Sequence, residues 1–298
     1  MVNEYQLKQE ICEIGRRIYA KGFAAANDGN ITVRINDKEV LCTPTMVSKG
    51  FLKPDDICKV DMQGNQVEGR RKRTSEILLH LELFKDDPTM NAVVHCHPPH
   101  ATAFSIAGEQ IPTCVLPEVE IFLGVVPTAV YENPGGQAFA DTIRPFVGKA
   151  NTVVLKNHGT ISWGRDLQEA YFRTEILDAY CRMLYIAKGL GRVERISEGH
   201  VEGLLELKEK LGYEGDPRRL ENADLCVNTE FGRGYQNGGP AGAVTQAAPQ
   251  QLVVTGTTPQ PPQPAPSAAI VNRTQTGPAP DIEAMVQMIT DEVMVALG

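Results

Sequence analysis

His95-Cys96-His97 and, far downstream, Asn157-His158-Gly159 are the residues whose types and spacing best suit chemistry. Side chains alternate along an extended strand, so histidines at i and i+2 point the same way. A third histidine can then close a three-nitrogen face around one metal ion. A carboxylate or water completes the set, which is the layout of a catalytic zinc site with an open position. Asn91-Ala92-Val93-Val94 and Asn151-Thr152-Val153-Val154-Leu155 are short β-rich runs that would deliver His95 and His158 to strand ends.

Other residues could cradle an anion. In Arg73-Thr74-Ser75-Glu76, hydroxyls and free backbone N–H groups at a helix start would bind a phosphate. Glu76, in that first turn, could reach a metal or abstract a proton. Gly29-Asn30-Ile31-Thr32 and Thr43-Pro44-Thr45 could each bring backbone amides close to a phosphate. Lys49 reads as a solvated loop lysine.

These groups need a scaffold. The chain has 298 residues, 42% hydrophobic, ample for one compact domain with a full core. Residues 3–22 read as an amphipathic helix on Leu7, Ile11, Ile14 and Ile18. The strands 31–35 and 40–42 suggest a hairpin. Ser75 reads as the N-cap of a helix reaching about Lys85, and Pro99 opens another that ends before Gly108. A helical stretch at 135–147 follows. Asp166 caps a long helix through about Lys188, and the last covers roughly 197–211. Strands and helices intermix around one sheet, an α/β or α+β domain.

The formal net charge of −8 argues against nucleic acid as a partner. The N-terminus has no apolar signal core and no run is long enough to span a membrane, so a cytoplasmic protein is expected. The seven cysteines lack CxxC pairs and read as reduced thiols.

The chain changes character near residue 226. From Gly234 to Pro280 the only charged residue is Arg273, and nine of the twenty prolines lie there. Residues 226–280 are therefore expected to be a disordered linker. Beyond it, Ile282, Met285, Val286, Ile289, Val293 and Leu297 fall on one helical arc, ~120° wide, of a segment spanning 281–298. Its four acidic and no basic residues argue against a membrane surface.

Taken together, Gly-Asn-Ile-Thr-Val-Arg at 29–34, Thr-Pro-Thr at 43–45, Thr-Ser-Glu at 74–76, His-Cys-His at 95–97 and Asn-His-Gly at 157–159 resemble the class II aldolase/adducin family. The resemblance is greatest to its L-fuculose-phosphate aldolase branch and spans about residues 5–215. It implies a single domain at 1–225, with a central, mostly antiparallel β-sheet flanked by α-helices, assembled as a homotetramer with active sites at subunit interfaces. It implies one Zn2+ per subunit on His95, His97 and His158, with Glu76 as fourth ligand and acid/base. Gly29, Asn30, Thr45, Thr74 and Ser75 would hold the phosphate of a phosphorylated ketose.

The chain also departs from that pattern. Met46 stands where family aldolases often carry Gly, and a left-handed backbone there is costly for Met. The tyrosine that handles the proton of the aldehyde oxygen is replaced, leaving Glu118, Glu120 and Tyr131 to consider. Ribulose-phosphate 4-epimerase, which usually has Asp at the Glu76 position, and methylthioribulose-phosphate dehydratase share the fold. The non-catalytic adducin head does too, but without the metal histidines. The tail resembles the encapsulation peptides of bacterial microcompartment cargo enzymes, which implies docking on a shell protein or other cargo.

Overall fold

The structure is a computed structural model and describes residues 3–228 apart from 214 and 222. The expected linker beyond Asn228 and the 281–298 helix lie outside the described residues. The described residues fall within one compact unit, Met1–Val244.

Eight strands form one sheet in the order β4-β3-β2-β1-β5-β8-β7-β6. They are β1 (Asn30–Arg34), β2 (Glu39–Cys42), β3 (Cys58–Asp61), β4 (Gln66–Glu68), β5 (Ala92–Cys96), β6 (Thr128–Ala129), β7 (Thr152–Leu155) and β8 (Gly159–Gly164). Every pairing is antiparallel except β6 with β7. The expected hairpin is present as β1–β2. Strands β3, β4, β6 and β8 were not anticipated. Three of these are only two to four residues long, too short for a period-2 pattern to stand out.

The central strands are buried on both faces, and their alternation sorts side chains between two layers. On one face Val93, Val153, Leu155, Ile161 and Trp163 pack with helices α2 (Ile77–Asp86) and α5 (Gln137–Asp141). On the other, Ala92, Val94 and Cys96 pack with α1 (Glu4–Ala20) and the start of α6 (Leu167–Gly189). Val154 meets α3 (Pro99–Ala107), α4 (Pro117–Phe122) and the rest of α6. Among the described residues the remaining α-helices are α7 (Glu198–Lys210) and α8 (Pro217–Leu220). Among the described residues, no helix is long and apolar enough to cross a membrane.

Helix ends follow side-chain chemistry where a cap exists. Asn3 accepts from Gln6 N–H and Asp166 from Glu169 N–H, starting α1 and α6 near the expected places. Ser75 does not cap α2. The helix begins at Ile77, Glu76 occupies the cap position without a capping bond, and Ser75 is exposed. Carbonyl pairing between the 43 and 74 segments holds the chain extended to Thr74, so the first helical turn comes later. The 135–147 stretch is helical only in α5 and a short 3₁₀ turn at Arg144–Phe146.

Two cysteines correct the expectation of seven thiols. Cys114 and Cys226 form a disulfide across 112 residues of sequence, while Cys12, Cys42, Cys58, Cys96 and Cys181 are free and buried. The bond is reachable because residues 227–228 fold back onto residues 111–113. Val227 N–H donates to Thr113 Oγ1 at 2.8 Å and Asn228 Nδ2 to the Ile111 carbonyl at 2.8 Å. Chain spacing alone could not show that approach.

Candidate metal centre

His95 sits on β5 opposite Asn30 of β1 and Ile161 of β8. Two residues on from Val93 it shares that residue's face, so its ring enters the layer beneath α2. Its Nδ1 lies 2.8 Å from the Thr160 carbonyl. A carbonyl can only accept, so Nδ1 carries the proton and Nε2 presents a lone pair. That lone pair faces Glu76 Oε2 at 3.3 Å. Acceptor faces acceptor there, an arrangement that a bound cation would satisfy.

His97 follows the strand end, its N–H held by the Phe23 carbonyl at 2.8 Å and its Nδ1 3.4 Å from Asp28 Oδ2. His158 comes from the tight turn joining β7 and β8, where Asn157 takes a left-handed φ of 55°. Ser105 Oγ accepts that residue's N–H at 2.7 Å. His158 Nε2 lies 3.5 Å from Glu76 Oε1. The three rings converge, with centroids 4.9–5.2 Å apart.

Close approach of backbones makes this possible, and two glycines permit it. A Cβ on Gly159 would lie 2.5 Å from both the Cys96 carbonyl oxygen and His97 Cδ2. One on Gly29, at φ +74°, would come within 2.9 Å of the His95 carbonyl oxygen.

One nitrogen from each histidine lies within 4.8 Å of the others, a group able to hold a metal ion. The polar accounting fits a cation. Nε2 of His95 and Nε2 of His97 are buried without a hydrogen-bond partner. Each such orphan costs ~1–3 kcal/mol, which a bound cation removes. Burial drives His95 well below the usual histidine range, and His97 and His158 push it further down. His158 is lowered too, chiefly by burial. Neutral imidazole is the ligand form.

Glu76 is held from the sheet side. Asn30 Nδ2 donates to its Oε2 at 2.7 Å, and Glu76 N–H donates to Thr74 Oγ1 at 3.3 Å. An antiparallel bridge between Pro44 and Arg73 sets Thr43, not Thr45, beside Thr74, whose N–H donates to the Thr43 carbonyl at 3.1 Å, while Thr45 N–H donates to the Lys72 carbonyl at 3.0 Å. Gly29 and Asn30 join the same corner through the Asn30–Glu76 bond.

Several residues carry different duties from those expected. Lys49 is not solvated: it is 1% exposed, and Nζ donates to the Asn27 carbonyl at 2.8 Å and the Val47 carbonyl at 2.7 Å. It ties the loop at Asn27 to the loop at Val47. Burial lowers its pKa to about 8, with Asp28 and Glu76 opposing. Met46 does adopt the left-handed backbone, φ 58°, with its side chain 76% exposed. Glu120 is committed elsewhere, accepting from Arg218 at 2.9 Å and from Cys114 N–H at 2.6 Å. Tyr131 is exposed and bonds Asn133. Asp28, 3.4 Å from His97, carries no motif in the sequence that would single it out.

The comparisons agree with this architecture. Residues 9–185 match the Class II Aldolase and Adducin N-terminal domain family. An L-fuculose phosphate aldolase from Methanococcus maripaludis is 33% identical over 181 residues, 61% of this chain and 97% of that protein. A 3-oxo-tetronate 4-phosphate decarboxylase from Cupriavidus necator is 30% identical over 187 residues, 61% of this chain and 85% of that protein. The crystal structure of YgbL from Escherichia coli superposes with a TM-score of 0.64 at 29% identity, covering 67% of this chain and 98% of that one. The chain belongs to the class II aldolase/adducin family, and within it to the enzymes, of lyase type.

Proposed function

We propose that the chain is a zinc-dependent aldolase cleaving L-fuculose 1-phosphate, or L-rhamnulose 1-phosphate, to dihydroxyacetone phosphate and lactaldehyde. The observation that carries this reading is the lone pair of His95 facing the Glu76 carboxylate at 3.3 Å, with two more histidines converging on the same point. His95, His97 and His158 would hold the ion, and Glu76 would complete the resting set. When bound, zinc supplies Lewis-acid stabilisation of the negative charge that develops on the three-carbon fragment.

The chain's own residues do the rest. Gly29, Asn30, Thr45, Thr74 and Ser75 hold the phosphate, anchoring the end that does not react and placing C3 beside Glu76. The Glu76 carboxylate moves the proton at C3, oriented by Asn30. No lysine Schiff base is needed, and the one buried lysine at this corner, Lys49, is occupied by two carbonyls.

A second reading has its own support. Decarboxylation of a 3-oxo-tetronate 4-phosphate develops the same charge beside the same phosphate, but its leaving group is carbon dioxide. That reaction needs no acid or base for an aldehyde, and Glu120 is already committed to Arg218.

A coupled assay of the purified, metal-analysed protein on both substrates, following dihydroxyacetone phosphate with and without chelator, separates the readings. Chelator-sensitive release from L-fuculose 1-phosphate supports the aldolase. Release only from the tetronate gives the decarboxylase, and a protein that binds no metal removes both.

We further read the protein as a homotetramer and as microcompartment cargo addressed by residues 281–298. Unchanged co-purification with shells after deleting 281–298 would end the cargo reading.

A further inference from the structure

Ile31 and Val33 of β1 pack on the α1 side of the sheet, so Asn30, Thr32 and Arg34, which alternate with them, share the face beneath α2. The register agrees, because Cys42 and Val93, the neighbours of Thr32 on either side, belong to the layer under α2. The outer two residues of this row bond residues of that helix eight apart. Asn30 Nδ2 donates to Glu76, and Arg34 Nη2 donates to the Phe84 carbonyl with its guanidinium over the Phe84 ring. Two residues of strand advance ~6.8 Å and four of helix ~6 Å, so strand and helix run in step. Between the two bonded positions, that match sets Thr32 opposite His80. Helical side chains lean toward the helix start, which carries the His80 ring back toward Glu76 and Asn30.

The middle position differs from the outer two. Thr32 and His80 are fully buried, and Asn30 nearly so. Yet Asn30 Oδ1, Thr32 Oγ1 and both ring nitrogens of His80 have no hydrogen-bond partner among the protein atoms. Burial pushes the His80 pKa down to about 3, with His95 acting the same way and Glu76 opposing. The ring is therefore neutral, with one N–H to give and one lone pair to fill. The Thr32 hydroxyl can also give, and the Asn30 carbonyl oxygen can only accept. Buried polar atoms are seldom left unmatched, and four gathered in one layer call for a shared partner. A water suits the spacing, since two bonds of ~2.8 Å span ~5–6 Å, and a buried water typically makes about three bonds.

We propose that Thr32 and His80 hold one buried water, and that this water orients the Asn30 amide toward Glu76. A water that accepts from the Thr32 hydroxyl and from the His80 N–H has only its protons left to offer. It therefore donates to Asn30 Oδ1. With its oxygen engaged there, the amide must turn its N–H to Glu76 Oε2, where the 2.7 Å bond is found. A flipped amide would set oxygen against carboxylate instead. Thr32 and His80 are thus positioning residues, acting on Glu76 through the water and Asn30. The inference rests on the role assigned to Glu76 above, and not on which phosphorylated substrate is cleaved.

The test uses the full-length, metal-loaded protein and has two arms. A crystal structure of the wild type should show one water within hydrogen-bond distance of Asn30 Oδ1, Thr32 Oγ1 and a ring nitrogen of His80. Its absence overturns the proposal, whatever the enzyme turns over. The second arm is kinetic, on whichever of the two substrates the wild type cleaves. His80→Phe keeps a ring of similar bulk without its nitrogens, and Thr32→Val keeps the shape without the hydroxyl. Each should retain its metal and its KM while kcat falls ~10-fold, the scale of a lost outer partner. The double variant should be no slower than the slower single one, because both remove the same water. His80→Gln, which can still give and accept a hydrogen bond, should recover most of kcat. If His80→Phe does not fold, Thr32→Val with its unchanged shape carries this arm. Unchanged kcat with a lowered Tm, or losses that multiply in the double variant, would make the two residues packing only and overturn the proposal. A wild type inactive on both substrates ends the reading of the reaction instead, and the crystallographic arm then decides on the water.

Discussion

Two buried clusters of ionisable side chains, near opposite ends of the fold's logic, differ in how their polar atoms are satisfied. Around Arg218 every charge has a partner. The guanidinium donates to Glu120 at 2.9 Å, to Asp216 at 2.8 and 3.0 Å and to the Leu225 carbonyl at 2.7 Å, and Lys208 donates to Asp216 at 3.1 Å. Burial opposes ionisation of Asp216, yet Arg218 and Lys208 hold its carboxyl below the usual range. Around His95 the atoms converge as closely, yet three imidazole nitrogens, Nε2 of His95, Nε2 of His97 and Nδ1 of His158, have no hydrogen-bond partner and one lone pair faces a carboxylate. A completed network holds the structure together, whereas an uncompleted one leaves room for a ligand that the protein does not itself supply.

The largest test of that contrast removes a nitrogen. His95→Ala should lose bound metal and turnover together. The loss in metal affinity should exceed ~100-fold, since outer partners of a ligand alone are worth ~10–100-fold. Metal analysis after dialysis reads it directly, and a full complement of metal in this variant would break the contrast. Glu76→Gln sharpens it instead. The amide keeps the shape and the Asn30 neighbour but cannot take a proton. Metal should stay bound while kcat falls ~100- to 10,000-fold. Retained turnover would remove Glu76 from its role.

Arg218→Ala tests the other cluster. It removes the ion-pair partner of buried Glu120 and leaves Asp216 paired with Lys208 alone, which costs ~3–5 kcal/mol. Urea unfolding should show that loss, while metal per folded chain stays the same. Lost metal with unchanged stability would exchange the roles assigned to the two regions.

Part of this was legible in the residues alone. The His-x-His spacing, the β-rich runs before His95 and His158 and the carboxylate at position 76 are local patterns, and local patterns survive folding. The caps at Asn3 and Asp166 are local too. What stayed hidden depends on contacts across the chain. Asn30 reaches Glu76 because Thr43 bonds Ile31 on one side and Thr74 on the other, and the Cys114–Cys226 bond needs residues 227–228 to return to the 111–113 loop. Glu120 looked free until Arg218, nearly a hundred residues on, took its carboxylate. Ser75 shows a local rule overridden: the 43–74 pairing holds the backbone extended up to the residue just before the one expected to cap, and the helix starts at Ile77.

Lys49 lies between the two kinds of cluster, because it is a buried cation whose only hydrogen-bond partners among the described residues are carbonyls. Its folded pKa is about 8, against 10.5 ordinarily, the shift arising mainly from burial. The sign follows from proton counting. Below pH 8 both folded and unfolded chains hold the proton, and the folded state bears the full cost of a charge out of water. Between pH 8 and 10.5 the unfolded chain keeps the proton and the folded one releases it, so stability rises with pH. From pH 7.5 to 9.5 the gain from this group is about 2 kcal/mol. Urea unfolding of chelated wild type and chelated Lys49→Met at both pH values isolates it, because every other group titrates in both proteins. The wild type should gain on the variant as pH rises. A flat difference would mean that the ammonium is solvated in solution and that carbonyls alone do not hold a buried cation at this corner.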